Sequence, residues 1–176
     1  VALPLFAESD GELVDVELFD DLTEQELKEK LEKVLPKESR IISIVKIAKN
    51  APAIDITAQW AEYKVDIFNK SLYDFKDLVY NTDRVLSSEE IFIEKKNKKG
   101  LIKKTDIKKS IKSYRFDGES LFIILKTGQS AVNKEDGTVE AGIPALRADV
   151  LMDLIASGVT FDIRRTKFFD KDLQEL

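Results

Sequence analysis

Ala61-Glu62-Tyr63-Lys64-Val65-Asp66-Ile67-Phe68 alternates apolar and polar side chains, the signature of a strand buried on one side. Downstream, Ser71 with Asp74 reads as the cap of a short helix whose apolar face is Leu72, Phe75, Leu78 and Val79. Residues 90–94 read as a strand running into Lys95-Lys96-Asn97-Lys98-Lys99-Gly100, a hairpin tip in which Gly100 supplies a positive φ. Residues 108–116 continue extended, Asp117-Gly118 marks a tight turn, and Ser120 to Lys126 is a core strand. A loop of small and polar residues fills 127–143. Pro144 opens the last helix, with Leu146, Val150, Leu151, Leu154 and Ile155 as its buried face and Gly158 as a left-handed cap. Residues 161–169 form the final strand. The order β-α-β-β-β-α-β predicts an α+β fold, a ferredoxin-like split β-α-β sandwich with one extra hairpin strand.

Upstream of residue 61 the pattern is thinner. Residues 13–18 alternate as a strand with acids on one face, and residues 40–47 are β-branched and apolar, a buried strand. Between them Leu22, Leu27, Leu31 and Val34/Leu35 recur at helical spacing, Thr23 and Glu26 form a capping box, and Pro36 stops the helix. Residues 1–50 thus predict a partial ferredoxin-like half (strand-helix-strand), 51–60 a connection containing Ala51-Pro52-Ala53, and 61–176 the complete unit. A lone strand-helix-strand cannot cover both edges of a sheet.

Composition narrows function mostly by exclusion. The 176 residues contain no Cys and no His. They therefore supply no thiolate nucleophile, no cysteine-ligated cluster, no imidazole ligand and no Ser-His-Asp triad. No apolar run approaches the ~18 residues that span a bilayer. The net charge of −5 conceals strong zoning. Residues 1–32 hold eleven acids and two lysines, whereas residues 95–115 hold ten Lys or Arg and the single Asp106.

That basic segment is the leading candidate site. Lys95, Lys96, Lys98, Lys99, Lys103, Lys104, Lys108, Lys109, Lys112 and Arg115 are suited to phosphate contacts, and Tyr114 and Phe116 to stacking on unpaired bases. Alternation sends Lys103, Thr105 and Ile107 one way and Lys104, Asp106 and Lys108 the other, so a bulge is needed to gather the lysines. The competing reading is that lysines guard an exposed edge against aggregation. Both stay open. Asp15, Glu17, Asp20, Asp21 and Glu24 are explained by capping and solvation, with a hard-cation site or a basic partner as alternatives. Gly128-Gln129-Ser130, Gly137 and Gly142 fit a plain loop and match neither a Walker A motif nor a dinucleotide fingerprint. Arg164, Arg165 and Lys167 extend the basic face if the last strand lies near the hairpin, and Trp60 reads as a core anchor. No catalytic residue, metal ligand or cofactor is expected.

Several stretches together carry a likeness to a known family. They are Ala2-Leu3-Pro4-Leu5 with Glu8-Ser9 and Gly11-Glu12, then Leu13-Val14-Asp15-Val16-Glu17-Leu18. Ala51-Pro52-Ala53-Ile54, Ala61-Glu62-Tyr63, Lys98-Lys99-Gly100, Asp106-Ile107 and Arg165-Thr166 follow in order. In this pattern the chain resembles the bacterial radical SAM-linked proteins, whose biochemical role is unassigned. Members of that family begin with a further strand-helix-strand carrying Ser-His-Leu-Asp-like and Gly-Phe-Asn-Pro-like turns, neither of which occurs here. The resemblance implies that the chain is a fragment and that its partner is a radical SAM protein.

Three functional classes follow. The first is a non-catalytic cytoplasmic module that binds RNA, with no membrane and no DNA contact, for a radical SAM enzyme. The second is a protein–protein docking scaffold for that enzyme with no nucleic acid. The third is an enzyme working through carboxylates or a tyrosine, the weakest because no paired acids stand out by spacing.

Overall fold

In the computed structural model, residues 3, 6–96, 100, 102–128, 132–133, 139–140 and 142–176 are described. In chain order they give β1 (Ala7–Ser9), α1 (Glu24–Glu32), α2 (Ile54–Thr57), β2 (Trp60–Ile67) and α3 (Phe75–Leu86). Then come β3 (Phe92–Lys96), β4 (Ile102–Asp106), a 3-10 turn at Lys108–Ser110, β5 (Ile111–Asp117) and β6 (Ser120–Lys126). β7 (Val132–Asn133), β8 (Val139–Glu140), α4 (Ala148–Ile155) and β9 (Phe161–Phe169) complete the order. The fold is α+β. A five-stranded mixed sheet runs β1-β9-β2-β6-β5, with β1 parallel to β9 and the other neighbours antiparallel. β3 with β4, and β7 with β8, form separate two-stranded ladders.

The alternating stretch is the middle of this sheet, since β2 pairs with β6 on one side and β9 on the other. Ala61, Tyr63, Val65 and Ile67 face one core with Leu121, Ile123 and Leu125 of β6, Leu78 and Leu86 of α3, and Leu151, Met152 and Ile155 of α4. Burying each such leucine is worth roughly 1.5–3 kcal/mol, so this one layer carries much of the stability. Trp60, Glu62, Lys64 and Asp66 occupy the alternate positions on the opposite face, uncapped by α3 or α4, where Trp60 and Glu62 are nonetheless buried and Lys64 and Asp66 half-buried.

Local signals decide where the elements start. In α1, Thr23 Oγ1 accepts the Glu26 amide while the Glu26 carboxylate accepts the Thr23 amide, the expected capping box. In α3 the cap is Asp74, whose Oδ1 accepts the Lys76 amide at 2.7 Å. Ser71 lies outside that helix and Leu72 is exposed, whereas Leu78 is buried and Phe75 packs against the core as expected, and Thr82 and Leu86 continue that face. α4 begins at Ala148, four residues after Pro144, and Met152 rather than Leu154 joins its buried face. Gly158 takes the anticipated left-handed conformation, as do Gly100 and Gly118.

Two expected strands do not form. Residues 13–18 and 40–47 make no strand ladder, and Val14, Val16, Ile42, Val45 and Ile47 are exposed. Extended backbone without a neighbouring strand has no partner for its N–H and C=O groups, and apolar alternation cannot create one. What ties this region down lies at its start. β1 adds to β9, and the Glu12 carboxylate receives the Arg165 Nε at 2.9 Å.

Arg165 reaches that position through an irregularity. Glu62 pairs with Lys167 and Tyr63 with Arg165, so Thr166 is an extra residue and Arg165 turns to the covered face. Its side chain is fully buried, paired with Glu12 and 4.7 Å from the Phe168 ring centroid. A guanidinium removed from water requires such compensation. It is a structural cation, which corrects its assignment to the basic surface.

Candidate nucleic-acid interface

The basic segment is split between two surfaces. Its first part is the β3–β4 hairpin, in which Lys95 pairs with Lys103, Lys96 with Ile102 and Glu94 with Lys104. Ile91, Ile93 and Ile107 bury the base of the hairpin in the core. Asp106 fastens that base by accepting the Lys108 amide at 2.9 Å and the Ile91 amide at 3.1 Å, and these bonds hold its carboxyl below the ordinary range. Lys103 is exposed, and the Lys104 ammonium sits 4.2 Å from the Phe92 ring centroid. Lys98 and Lys99 lie outside the described residues, as do the side chains of Lys95 and Lys96.

Lys108 has a different task. Its ammonium donates to the Leu86 carbonyl at the end of α3, where positive charge complements the helix dipole. Lys109, beside it, is exposed.

The second part is β5. Tyr114 and Phe116 pair with Ile123 and Leu121, which places both on the covered side of the sheet. The Tyr114 hydroxyl donates to Asp83 of α3 at 2.8 Å, and its ring meets Phe116 edge-on, which in turn meets Phe75. Arg115 points the other way, 3.2 Å from Glu62 and with its guanidinium carbon 4.0 Å from the Phe122 ring centroid. Between Ile111 and Ser113 the register shifts, making Lys112 the extra residue, and its ammonium lies 5.4 Å from the Trp60 ring centroid. This bulge re-aims Lys112 alone, and the regular β3–β4 ladder leaves Lys103 and Lys104 on opposite sides.

The uncapped sheet face therefore gathers cations that sequence reading left apart. Lys64, Lys126, Arg164 and Lys167 join Lys112 and Arg115 there, interleaved with Trp60 and Phe122. Four of these have carboxylates: Lys64 with Asp66 at 3.0 Å, Arg115 with Glu62, Arg164 with Glu8 and Asp10, and Lys167 with Glu175 at 2.7 Å. Lys112 and Lys126 have none among the described residues. Lys126 is 97% buried, its ammonium donates to the Gln59 side-chain oxygen, and burial pushes its pKa below the ordinary lysine value. The signal for this face was available in the alternation of Trp60, Glu62 and Lys64 opposite Ala61, Tyr63 and Val65. Trp60 is buried as an anchor should be, but on this face.

The acidic stretch is occupied elsewhere. Asp15 accepts the Ile54 amide at 2.6 Å and Asp21 lies 3.5 Å from Lys46. Among the described residues no group of three or more His, Cys, Asp or Glu is placed to hold a metal ion. Gln129, Ser130 and Gly137 lie outside the described residues. No helix among the described residues is long and apolar enough to cross a membrane.

Comparison with known proteins is informative at the level of family. No curated protein and no solved structure matches the chain. A family model for uncharacterised proteins conserved in bacteria matches residues 1–138, more than half of the sequence. The chain, with its basic hairpin and cation-bearing sheet face, belongs to the DUF2344 family of uncharacterised proteins conserved in bacteria.

Proposed function

We propose that this chain is a non-catalytic recognition module that binds RNA through two basic patches, the hairpin with Lys103, Lys104 and Lys109, and the sheet face with Lys112. The carrying observation is one of charge balance. Lys103, Lys104, Lys109 and Lys112 make no ion pair within 4.0 Å among the described residues, in a chain whose other exposed cations include many that do. Lysines left unneutralised on neighbouring elements suit a polyanion, whose counterions they release. Lys95, Lys96, Lys98 and Lys99 belong to the same basic run of the sequence.

The scaffold reading supports this. The strand order β9-β2-β6-β5, all antiparallel, with α3 and α4 as connections, supports reading 61–176 as a ferredoxin-like unit. Such sheets bind single-stranded RNA on the uncapped face. The resemblance to radical SAM-linked proteins supplies the partner, a radical SAM enzyme in the cytoplasm to which the module presents its RNA.

Titrating a structured RNA at several salt concentrations tests the reading. Affinity should tighten as salt falls, and Lys103→Glu with Lys104→Glu should weaken it and flatten the logarithmic salt slope by about two. Binding indifferent to salt, or equal affinity for duplex DNA of the same length, overturns it.

One observation favours a second reading, a docking scaffold without nucleic acid. Val14, Val16, Ile42, Val45 and Ile47 form exposed apolar stretches flanking α1, more than a surface bathed only in water requires. Co-purification with the radical SAM protein that survives ribonuclease and is lost on Val16→Asp with Val45→Asp supports that reading.

A further inference from the structure

Six cations share the uncapped face of the main sheet, and the chain treats two of them differently from the rest. Lys64, Arg115, Arg164 and Lys167 each have a carboxylate within 4.0 Å. Lys112 and Lys126, flanking Trp60, have none among the described residues. The difference is not one of exposure, because Lys126 is the most buried of the six and has the greatest need of compensation.

The local construction is specific. Strand pairing sets Trp60 directly opposite Lys126, whose ammonium lies 5.3 Å from the indole centroid. The β5 bulge turns Lys112 toward the same ring. Gln59 caps the Lys126 ammonium with a neutral oxygen, and Gly128 allows that placement. A Cβ at Gly128 would come within 2.4 Å of the Ala58 carbonyl oxygen and 2.7 Å of Gln59 Nε2. Two ammonium groups on one aromatic side chain, one taken out of water and met only by an amide oxygen, leave a concentrated positive charge that a dianion would balance.

We propose that Lys112, Lys126 and Trp60 form a phosphoryl-binding site at one end of the uncapped sheet face. The ligand is a phosphate group, either free or as part of a nucleic-acid backbone. In the second case the site rests on the RNA reading above and fixes the position of one phosphate on the sheet. Bound phosphate would also oppose the effect of burial on Lys126, since a nearby negative charge raises a lysine pKa.

Trp60 is the sole tryptophan of the chain, so its fluorescence reports on this site alone. Sodium phosphate and a short single-stranded RNA are titrated separately into the whole chain, with sodium chloride at matched ionic strength as control. The expected result is a saturable Trp60 response to phosphate, with affinity about tenfold lower in Lys126→Gln and in Lys112→Gln. Lys103→Glu with Lys104→Glu should leave the phosphate response intact and weaken only RNA. A response equal to that of chloride, or one untouched by both glutamine variants, overturns the site. Should Lys126→Gln lose its near-ultraviolet circular dichroism, the exposed Lys112→Gln decides. RNA binding that leaves Trp60 silent removes this site while the recognition surface stands. A phosphate response without RNA binding does the reverse.

Discussion

Residues 13–18 and 61–67 carry the same alternation, yet one is the centre of a sheet and the other pairs with nothing among the described residues. What separates them is company. β2 has apolar partners on both flanks, Leu121 to Leu125 in β6 and Ile163 and Phe168 in β9, and two helices over one side. Residues 13–18 pair with no strand among the described residues and are tied instead through Asp15 to the Ile54 amide. Alternation specifies a face, and a ladder needs neighbours as well.

The contrast can be broken from the well-packed side first. Leu125→Ala in β6, at a fully buried position, should cost about 3 kcal/mol in urea unfolding, because the surrounding sheet cannot collapse into the cavity. A cost near zero would mean that the two regions are packed alike. Glu12→Gln, which removes the negative charge beside the buried Arg165, should cost about 2 kcal/mol. That is the low end for such a pair, because Glu12 itself is partly in water. Its amides around β1 should exchange faster with solvent while those of β2 keep their protection.

Smaller effects belong to the loosely packed region. Thr23→Ala removes one half of the capping box and should cost about 1 kcal/mol in α1, seen as earlier hydrogen exchange over residues 24–32 without a change in the main sheet. Val16→Ser should change global stability by less than about 0.5 kcal/mol, since its side chain is half exposed. A loss of several kcal/mol at Val16 would show that this stretch is packed after all and would erase the contrast.

Much of this was legible in the residues themselves. The strand at 61–67, the capping box of Thr23 and Glu26, the turn at Gly118 and the last strand announce themselves through period, cap chemistry and a left-handed glycine, all of which are local. Misreadings arose where the deciding partner is distant in sequence. Arg165 looks like one more surface base until the extra residue Thr166 turns it inward onto Glu12. Tyr114 looks available for stacking until Asp83, 31 residues away, engages its hydroxyl. Lys126 sits in an apolar strand and draws no notice from composition. Its importance emerges only when β2 and β5 bring Trp60 and Lys112 alongside.

The parallel pairing of β1 with β9 has a bearing on how the molecule is made. Glu8 and Arg164, joined across that edge, are 156 positions apart. A nascent chain emerging from the ribosome must hold Ala7–Ser9 in waiting until Phe161–Phe169 has been translated. Closing so distant a contact is slow, so β1 should dock among the last steps of folding. Until then β1 and the acidic stretch that follows it are open to chaperones.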